Sequence, residues 1–339
     1  VAVAGCGEIQ NTITPNPGTE NVVKVMLAGP PSAFYVGLYE AQALGYFKQT
    51  DIDLEVEIPT PGGNAVQELH DGKVLIAIGS MPTVMLQRNR NEPVVGIAAI
   101  THSPLSAVEI SSASSSAGAC AGGPSGGAGL TTTTATTTTP SSAGPPATST
   151  TTSSVTAGTC TSTTTTASAA TPQASAGATT TTSTSTTTTT TTTTTRASEP
   201  DSHLWPAALK RLLKGSGVPT YEGLVVAVRK GTIVNHAPLL RRFIQALARG
   251  YRAARANPAA AVQNLVLQVP ALASSEAQQL ATVNAAMPYF FPPGLPIWGY
   301  QRETVWNTFG EWMLTNHVIS DPNAITDAST NELLQGEGV

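Results

Sequence analysis

The chain has 339 residues, long enough for two domains of ordinary size, and its 17 Lys plus Arg against 21 Asp plus Glu leave a net charge of −4. No basic run occurs, which argues against nucleic acid as a partner, and no run of about 18 apolar residues suggests a membrane span. Charged residues are only 11% of the chain and are unevenly spread: residues 111–195 contain none, and no aromatic residue either.

Near the start, Val3-Ala4-Gly5-Cys6 resembles the lipobox that ends a bacterial lipoprotein signal peptide, where the cysteine thiol takes a diacylglyceryl group. On this reading residues 1–20 are a signal remnant and tether, with the polar, Pro/Gly-containing run after Cys6 as the flexible part. The acylated Cys6 would hold the protein at a membrane surface, outside the cytoplasm, without a spanning helix. The alternative is a small-residue terminus with no such role.

Residues 21–27, "NVVKVML", read as a buried strand, followed by the Gly/Pro loop "AGPPSAFYVG". Leu38, Ala41 and 44–46 then suit an amphipathic helix that ends near Gly45. Ile52, Leu54, Val56 and Ile58 alternate with mostly acidic residues, the pattern of a half-exposed strand. "GGNAVQELHDGK" reads as a short helix and a turn, "VLIAIG" as a fully buried strand, "SMPTVMLQRNRN" as the next helix and "VVGIAAI" as another buried strand. Strand and helix alternating at this spacing predict a parallel sheet with crossover helices.

Residues 111–195 are almost entirely Thr, Ser, Ala, Gly and Pro, and Thr186 to Thr195 is an unbroken run of ten threonines. A disordered, glycosylated stalk is one reading and a frameshift product another. The favoured reading takes these letters as placeholders inside an ordered second lobe, because threonine has the shape of valine and Ser, Ala and Gly resemble truncated side chains. No threonine or serine of the tract is therefore taken as a binding residue.

Ordinary patterning returns after the tract. "GLVVAVRKG" reads as a strand, and Pro238 suits the first turn of a helix whose face carries Leu240, Phe243, Ile244, Leu247 and Tyr251. Asn257-Pro258 reads as a cap and first residue of another helix. Residues 303–316 form a last helix with Val305, Trp306, Phe309 and Met313 at core spacing.

The two flanks together resemble bacterial ABC-transporter substrate-binding proteins of the thiamin-pyrimidine-precursor type. Pro31, Gly37-Leu38-Tyr39, Gly45-Tyr46-Phe47 and the strand at 53–56 fall in that group's order. "GKVLIAIG", "PVVGIAAI", "GVPTYEGLVVAVRKG", "WNTFGEWMLTNHVI" and "ASTNELL" follow its later segments. The first loop departs from the group's D-W-x-P-N-x-x-H-x-G pattern, with Gly29 at the tryptophan position and Tyr35 at the histidine position. That departure concerns the ligand rather than the fold.

The resemblance implies a two-lobed α/β protein of the periplasmic-binding-protein type 2 fold. Each lobe would be a mostly parallel sheet flanked by helices, with two hinge strands between them. Lobe one would comprise 21–110 plus 222–339, and lobe two 111–221. A small-molecule ligand would sit between the lobes at the carboxyl ends of sheet strands. Closure would present a composite surface to an ABC permease, with the protein acting as a monomer and needing no cofactor.

The loops that satisfy this placement supply the candidates. After the first strand come Pro31, Ser32, Phe34 and Tyr35, where an aromatic ring could stack on a planar heterocycle while one of the two rings serves the core. Gly62, Gly63 and Asn64 open a helix whose free N–H groups suit an anionic or carbonyl oxygen, or else form a plain turn. Ser80 and Met81, then Thr101 and His102, follow the next two strands, with a capping or surface role as the alternative for His102. Tyr221 lies near the return crossing.

The ligands in view are a thiamin pyrimidine precursor, riboflavin, or a sulfonate- or nitrate-type anion. A fungal pyrimidine synthase of the same fold is the rival of another class. Its cysteine-rich motif has no counterpart here, since the three cysteines and five histidines are scattered. A mucin-like surface protein is the second rival, resting on the threonine tract alone.

Overall fold

The computed structural model describes residues 21–119, 152–156 and 186–334. Cys6 and most of the threonine-rich interval lie outside the described residues. Strands β1 (Asn21–Met26), β2 (Ile52–Glu57), β3 (Ile76–Gly79) and β4 (Val94–Thr101) alternate with helices α1 (Val36–Ala43), α2 (Ala65–His70) and α3 (Met81–Arg88). β5 (Glu109–Ala119), β6 (Thr152–Thr156) and β7 (Thr186–Arg196) follow, then α4 (Ala207–Leu212) and β8 (Leu224–Arg229). The chain ends in α5 (Lys230–Ala256), α6 (Pro258–Gln268), α7 (Glu276–Phe290) and α8 (Glu303–Thr315).

The main sheet has the order β2-β1-β3-β8-β4. β1, β2 and β3 pair in parallel, and β8 pairs antiparallel with both β3 and β4. The predicted parallel sheet is therefore interrupted by one reversed strand, the one that arrives after the chain's long excursion. Side chains alternate between two buried faces, as a pleated strand requires. Val25, Ile78, Ile100 and Val226 meet the layer of α1, α5, α6 and α7, while Met26, Ala77, Ala99 and Val225 meet Met85, Trp306 and Phe309.

Local signals explain the helix boundaries. α1 stops where Gly45 adopts φ +69°, with Tyr46 N–H donating to Ala41 C=O at 2.8 Å and Gly45 N–H to Gln42 C=O at 3.1 Å. Leu44 falls past the buried face and is exposed. α5 is kinked at His236, so Pro238 occupies the first turn of its second segment. Asn257 caps α6 through Ala260 N–H at 3.1 Å. The free edge of β4 is covered: Gly96 N–H donates to Ala328 C=O and Ala99 N–H to Gly299 C=O.

The second described sheet has the order β5-β7-β6 and is antiparallel, where the resemblance implies a mostly parallel one. β5 carries the chain out of the main sheet's domain and β7 brings it back. Two such segments lying side by side must run in opposite directions, and they pair from Glu109↔Arg196 to Ala119↔Thr186. Residues 197–221, grouped above with lobe two, pack on lobe one instead: Trp205, Leu209 and Tyr221 share a buried cluster with Met81, Val84 and Phe309.

α1 and α5 cross where Gly37 and Gly250 face each other. A Cβ on Gly250 would overlap Gly37 C=O, and one on Gly37 would overlap the Tyr251 ring. Gly250→Ala must therefore push the helices apart. It is expected to lower stability by about 1–3 kcal/mol, read as a fall in the thermal unfolding midpoint.

Candidate functional site

The loops after β1, β3 and β4 converge at the carboxyl end of the main sheet, and the segment 197–205 lies across them. Gly29 has room for no side chain there, since its Cβ would stand 2.8 Å from Pro200 Cβ. Asp201 Oδ2 accepts from Ser80 N–H at 2.8 Å and from the Ser80 hydroxyl at 3.0 Å. Trp205 Nε1–H donates to Thr83 Oγ1 at 2.9 Å. Glu199 Oε1 accepts from Leu105 N–H and from the Tyr221 hydroxyl, both at 2.9 Å. The returning chain is thus stitched to the ends of two strands by two buried carboxyl groups.

A third carboxyl group, Glu222, is buried beside them and accepts from Trp306 Nε1–H at 3.0 Å. Burial raises Glu222 to about 8, against the smaller opposing effects of that hydrogen bond and of Arg302. Burial also raises Glu199 and Asp201, against the hydrogen bonds they accept. His102 is lowered to about 4, first by burial and then by the charge of Arg302. His102 Nδ1 lies 3.9 Å from Glu222 Oε1. Both groups are therefore uncharged near neutral pH, and the contact is one between a carboxylic acid and a neutral imidazole rather than an ion pair.

Asp201 Oδ1 and His102 Nε2 are buried at this end without a hydrogen-bond partner among the described residues. Burial, then the charge of Asp201, holds the Tyr35 hydroxyl well above the ordinary phenol range. Unsatisfied buried groups of this kind carry a desolvation cost of about 1–3 kcal/mol each, which a bound polar partner removes.

The predicted residues divide. Pro31 and Ser32 are half-buried at the rim of the β1 loop. Phe34 and Tyr35 are both buried in the core layer, with Phe34 C=O accepting from the Tyr251 hydroxyl at 2.7 Å. The single turn Ala33–Tyr35 runs straight into α1 and buries all three of its residues, so it spares neither ring for the rim. Gly62, with φ +81°, and Gly63, whose N–H donates to Thr60 C=O at 2.7 Å, form a tight turn. Asn64 Oδ1 itself accepts from the N–H groups of Val66 and Gln67, leaving the anion reading of that helix start without those donors.

Ser80 caps α3 and holds Asp201, and Met81 is fully buried beneath the return segment. Thr101 Oγ1 accepts from Leu224 N–H at 2.8 Å. Tyr221 is 3% exposed, with its ring against Trp205 and Phe309, a core placement. His102 is buried at the same end of the sheet. Sequence reasoning missed Glu199, Asp201 and Glu222. Their signal was present: three acids in "SEPDSHLW" and "YEG", set among aromatic residues where a charge-poor chain resumes its patterning.

Linkage gives these shifts a pH signature. A carboxyl group raised from 4.5 to about 8 contributes stability below pH 4.5 that is lost as pH rises toward 8. His102, lowered from 6.5 to about 4, acts oppositely between those values, so the two nearly cancel below pH 6.5. Above about pH 6.5 the opposing His102 effect has ended, and up to pH 8 the Glu222 effect lowers stability on the order of 2 kcal/mol, with the raised Glu199 and Asp201 acting in the same direction. Glu222→Gln is expected to flatten the fall in stability that the native chain shows over that window, measured by denaturant unfolding at each pH. An unchanged slope would contradict the assignment.

The NMT1/THI5 like family model matches residues 33–116 and 149–261. A formylaminopyrimidine-binding protein of Halalkalibacterium halodurans is 34% identical over 98 residues, 29% of this chain and 29% of that protein. The 4-amino-5-hydroxymethyl-2-methylpyrimidine phosphate synthase THI5 of Saccharomyces cerevisiae is 24% identical over 86 residues, 25% of each chain. The matched part of this chain thus spans 29% or less of the length of these curated relatives. Among solved structures, a protein of Bordetella bronchiseptica RB50 has a TM-score of 0.50 at 11% identity, covering 92% of this chain and 95% of its own, a likeness of fold. Since the two matched intervals together exceed half of its length, the chain belongs to the NMT1/THI5 like family.

Proposed function

We propose that this chain is an extracytoplasmic solute-binding protein, the capturing component of an ABC importer. It takes up a small, uncharged planar heterocycle such as a thiamin pyrimidine precursor. The observation that carries the reading is the character of the sheet's carboxyl end. Glu199, Asp201 and Glu222 are buried there with raised pKa values beside a neutral His102, and of these Asp201 Oδ1 and His102 Nε2 have no hydrogen-bond partner among the described residues. Such a buried cluster carries hydrogen-bond donors and acceptors that match a neutral amino-heterocycle. An anion would have to shed its own hydration in the same low-dielectric region, a cost that a neutral heterocycle does not meet. The kinship with a protein that binds formylaminopyrimidine supports the same class.

On this reading Pro31 and Ser32 form the lobe-one rim of the site, and His102 and Asp201 supply polar contacts behind it. Closure of a second lobe on the ligand, recognition of the closed form by a permease and a lipid anchor at Cys6 complete the proposal. A binding role asks for no turnover. The rival is a pyrimidine-forming enzyme like the yeast relative, and catalytic turnover in the presence of iron would favour it.

A thermal-shift screen over aminopyrimidines, riboflavin, taurine and nitrate tests the ligand class. A true ligand at 100 times its dissociation constant is expected to stabilise the chain by about 2.7 kcal/mol. Stabilisation by taurine or nitrate, with none by the heterocycles, would overturn the reading. Ser32→Trp fills the rim from a half-buried position and is expected to weaken heterocycle binding by at least about tenfold with little change in melting temperature. Unchanged affinity would move the ligand away from the β1 loop.

A further inference from the structure

The loop that carries Ser32 is gripped by a helix far along the chain. Ala33 N–H, the first donor of the turn that leads into α1, is accepted by Gln279 Oε1 of α7 at 2.8 Å. Gln279 is half-buried, and its amide also donates to Ser275 Oγ at 3.3 Å, which helps to fix the side chain's direction. A serine that opens a helical turn ordinarily folds its hydroxyl back onto the N–H groups that follow it. Ser32 does not: its side chain makes no cap bond, and Tyr35 N–H goes to the Ser32 C=O instead, at 2.9 Å. Near the other end of α7, Tyr289 C=O accepts from His102 N–H at 3.1 Å, and the Tyr289 hydroxyl donates to Ala107 C=O at 2.8 Å. Gln279 lies in the first turn of α7 and Tyr289 in the last, about 15 Å apart along the axis. One helix thus grips both the loop after β1 and the crossing after β4.

A plainer account makes Gln279 a cap that only steadies α1. That account leaves two features unexplained: a Ser32 hydroxyl not spent on the turn it opens, and a single helix tied to two loops of the same site. We propose that Gln279 is a positioning residue for the solute. By taking Ala33 N–H it holds the β1 loop in the register that keeps the Ser32 hydroxyl for the ligand. Through α7 it also fixes the distance from Ser32 to His102. A hydroxyl both donates and accepts, so Ser32 can serve either the amino group or a ring nitrogen of a neutral heterocycle. This role rests on the solute-binding reading above and adds to it a residue that lies on none of the strand-end loops.

The test is a double-mutant cycle in the full chain, Ser32→Ala against Gln279→Leu, read by calorimetry as the dissociation constant of an aminopyrimidine, with taurine titrated in parallel. Each single variant is expected to weaken aminopyrimidine binding by roughly tenfold, and the double variant by little more than either, because Gln279 acts through Ser32. Gln279→Glu keeps an acceptor for Ala33 N–H and is expected to retain most of the affinity. Gln268→Leu removes a side-chain hydrogen bond from α6 to the Tyr39 C=O of α1 and is expected to change nothing. Native affinity in Gln279→Leu, additive losses of about a hundredfold in the double variant, or an equal loss in Gln268→Leu would each overturn the proposal and leave the solute-binding reading standing. Binding of taurine alone overturns the heterocycle reading, and the same cycle read with taurine then decides the role of Gln279 separately. A native chain that binds neither probe overturns both.

Discussion

β8 sits between β3 and β4, and it cannot be placed until the chain has left the sheet along β5 and returned along β7. Without it, the facing backbone groups of β3 and β4 would lack partners inside the sheet. The middle of lobe one is therefore closed by residues far along the chain, and most of its stability depends on contacts of long sequence separation. Such contacts are slow to form because loop closure comes before any gain from packing. Completion of the sheet and docking of the return segment are one event, since 197–222 leads directly into β8.

This constraint explains the buried acids. A segment that must cross the ends of β1, β3 and β4 brings its own backbone and side chains into a region of strand-end N–H groups. Asp201 satisfies Ser80 N–H and Glu199 satisfies Leu105 N–H. Apolar side chains in their places would leave those donors unmet. The carboxyl groups are costly to bury as anions, which is why each is shifted upward. The docking of the return strand and the polarity of the candidate site thus have one origin.

Much of lobe one was legible because its signals are local. The apolar run Val94–Ile100 of β4 and the alternation of β2 announce their burial. Gly45, Asn257 and Pro258 mark helix ends through chemistry that acts within a few residues. The reversed direction of β8 was not legible, because "GLVVAVRKG" is equally apolar whichever way it runs. Nor was the burial of both Phe34 and Tyr35: periodicity places a ring near a loop but does not say that the turn Ala33–Tyr35 is sealed beneath α7. Gly62-Gly63-Asn64 looked like an open helix start, and only the rotamer of Asn64 decides that its own oxygen occupies the N–H groups. The buried acids were hidden because a carboxyl group's neighbours across 121 residues, as for Ser80 and Asp201, leave no mark on its own local pattern.

At the strand ends of this lobe, burial favours the uncharged forms of Glu222 and His102. The arginines of α5 lie elsewhere, Arg255 at an exposed position and Arg252 half-buried. Acids and imidazole lose their charge when dehydrated, whereas arginine must find a counter-charge or remain near water.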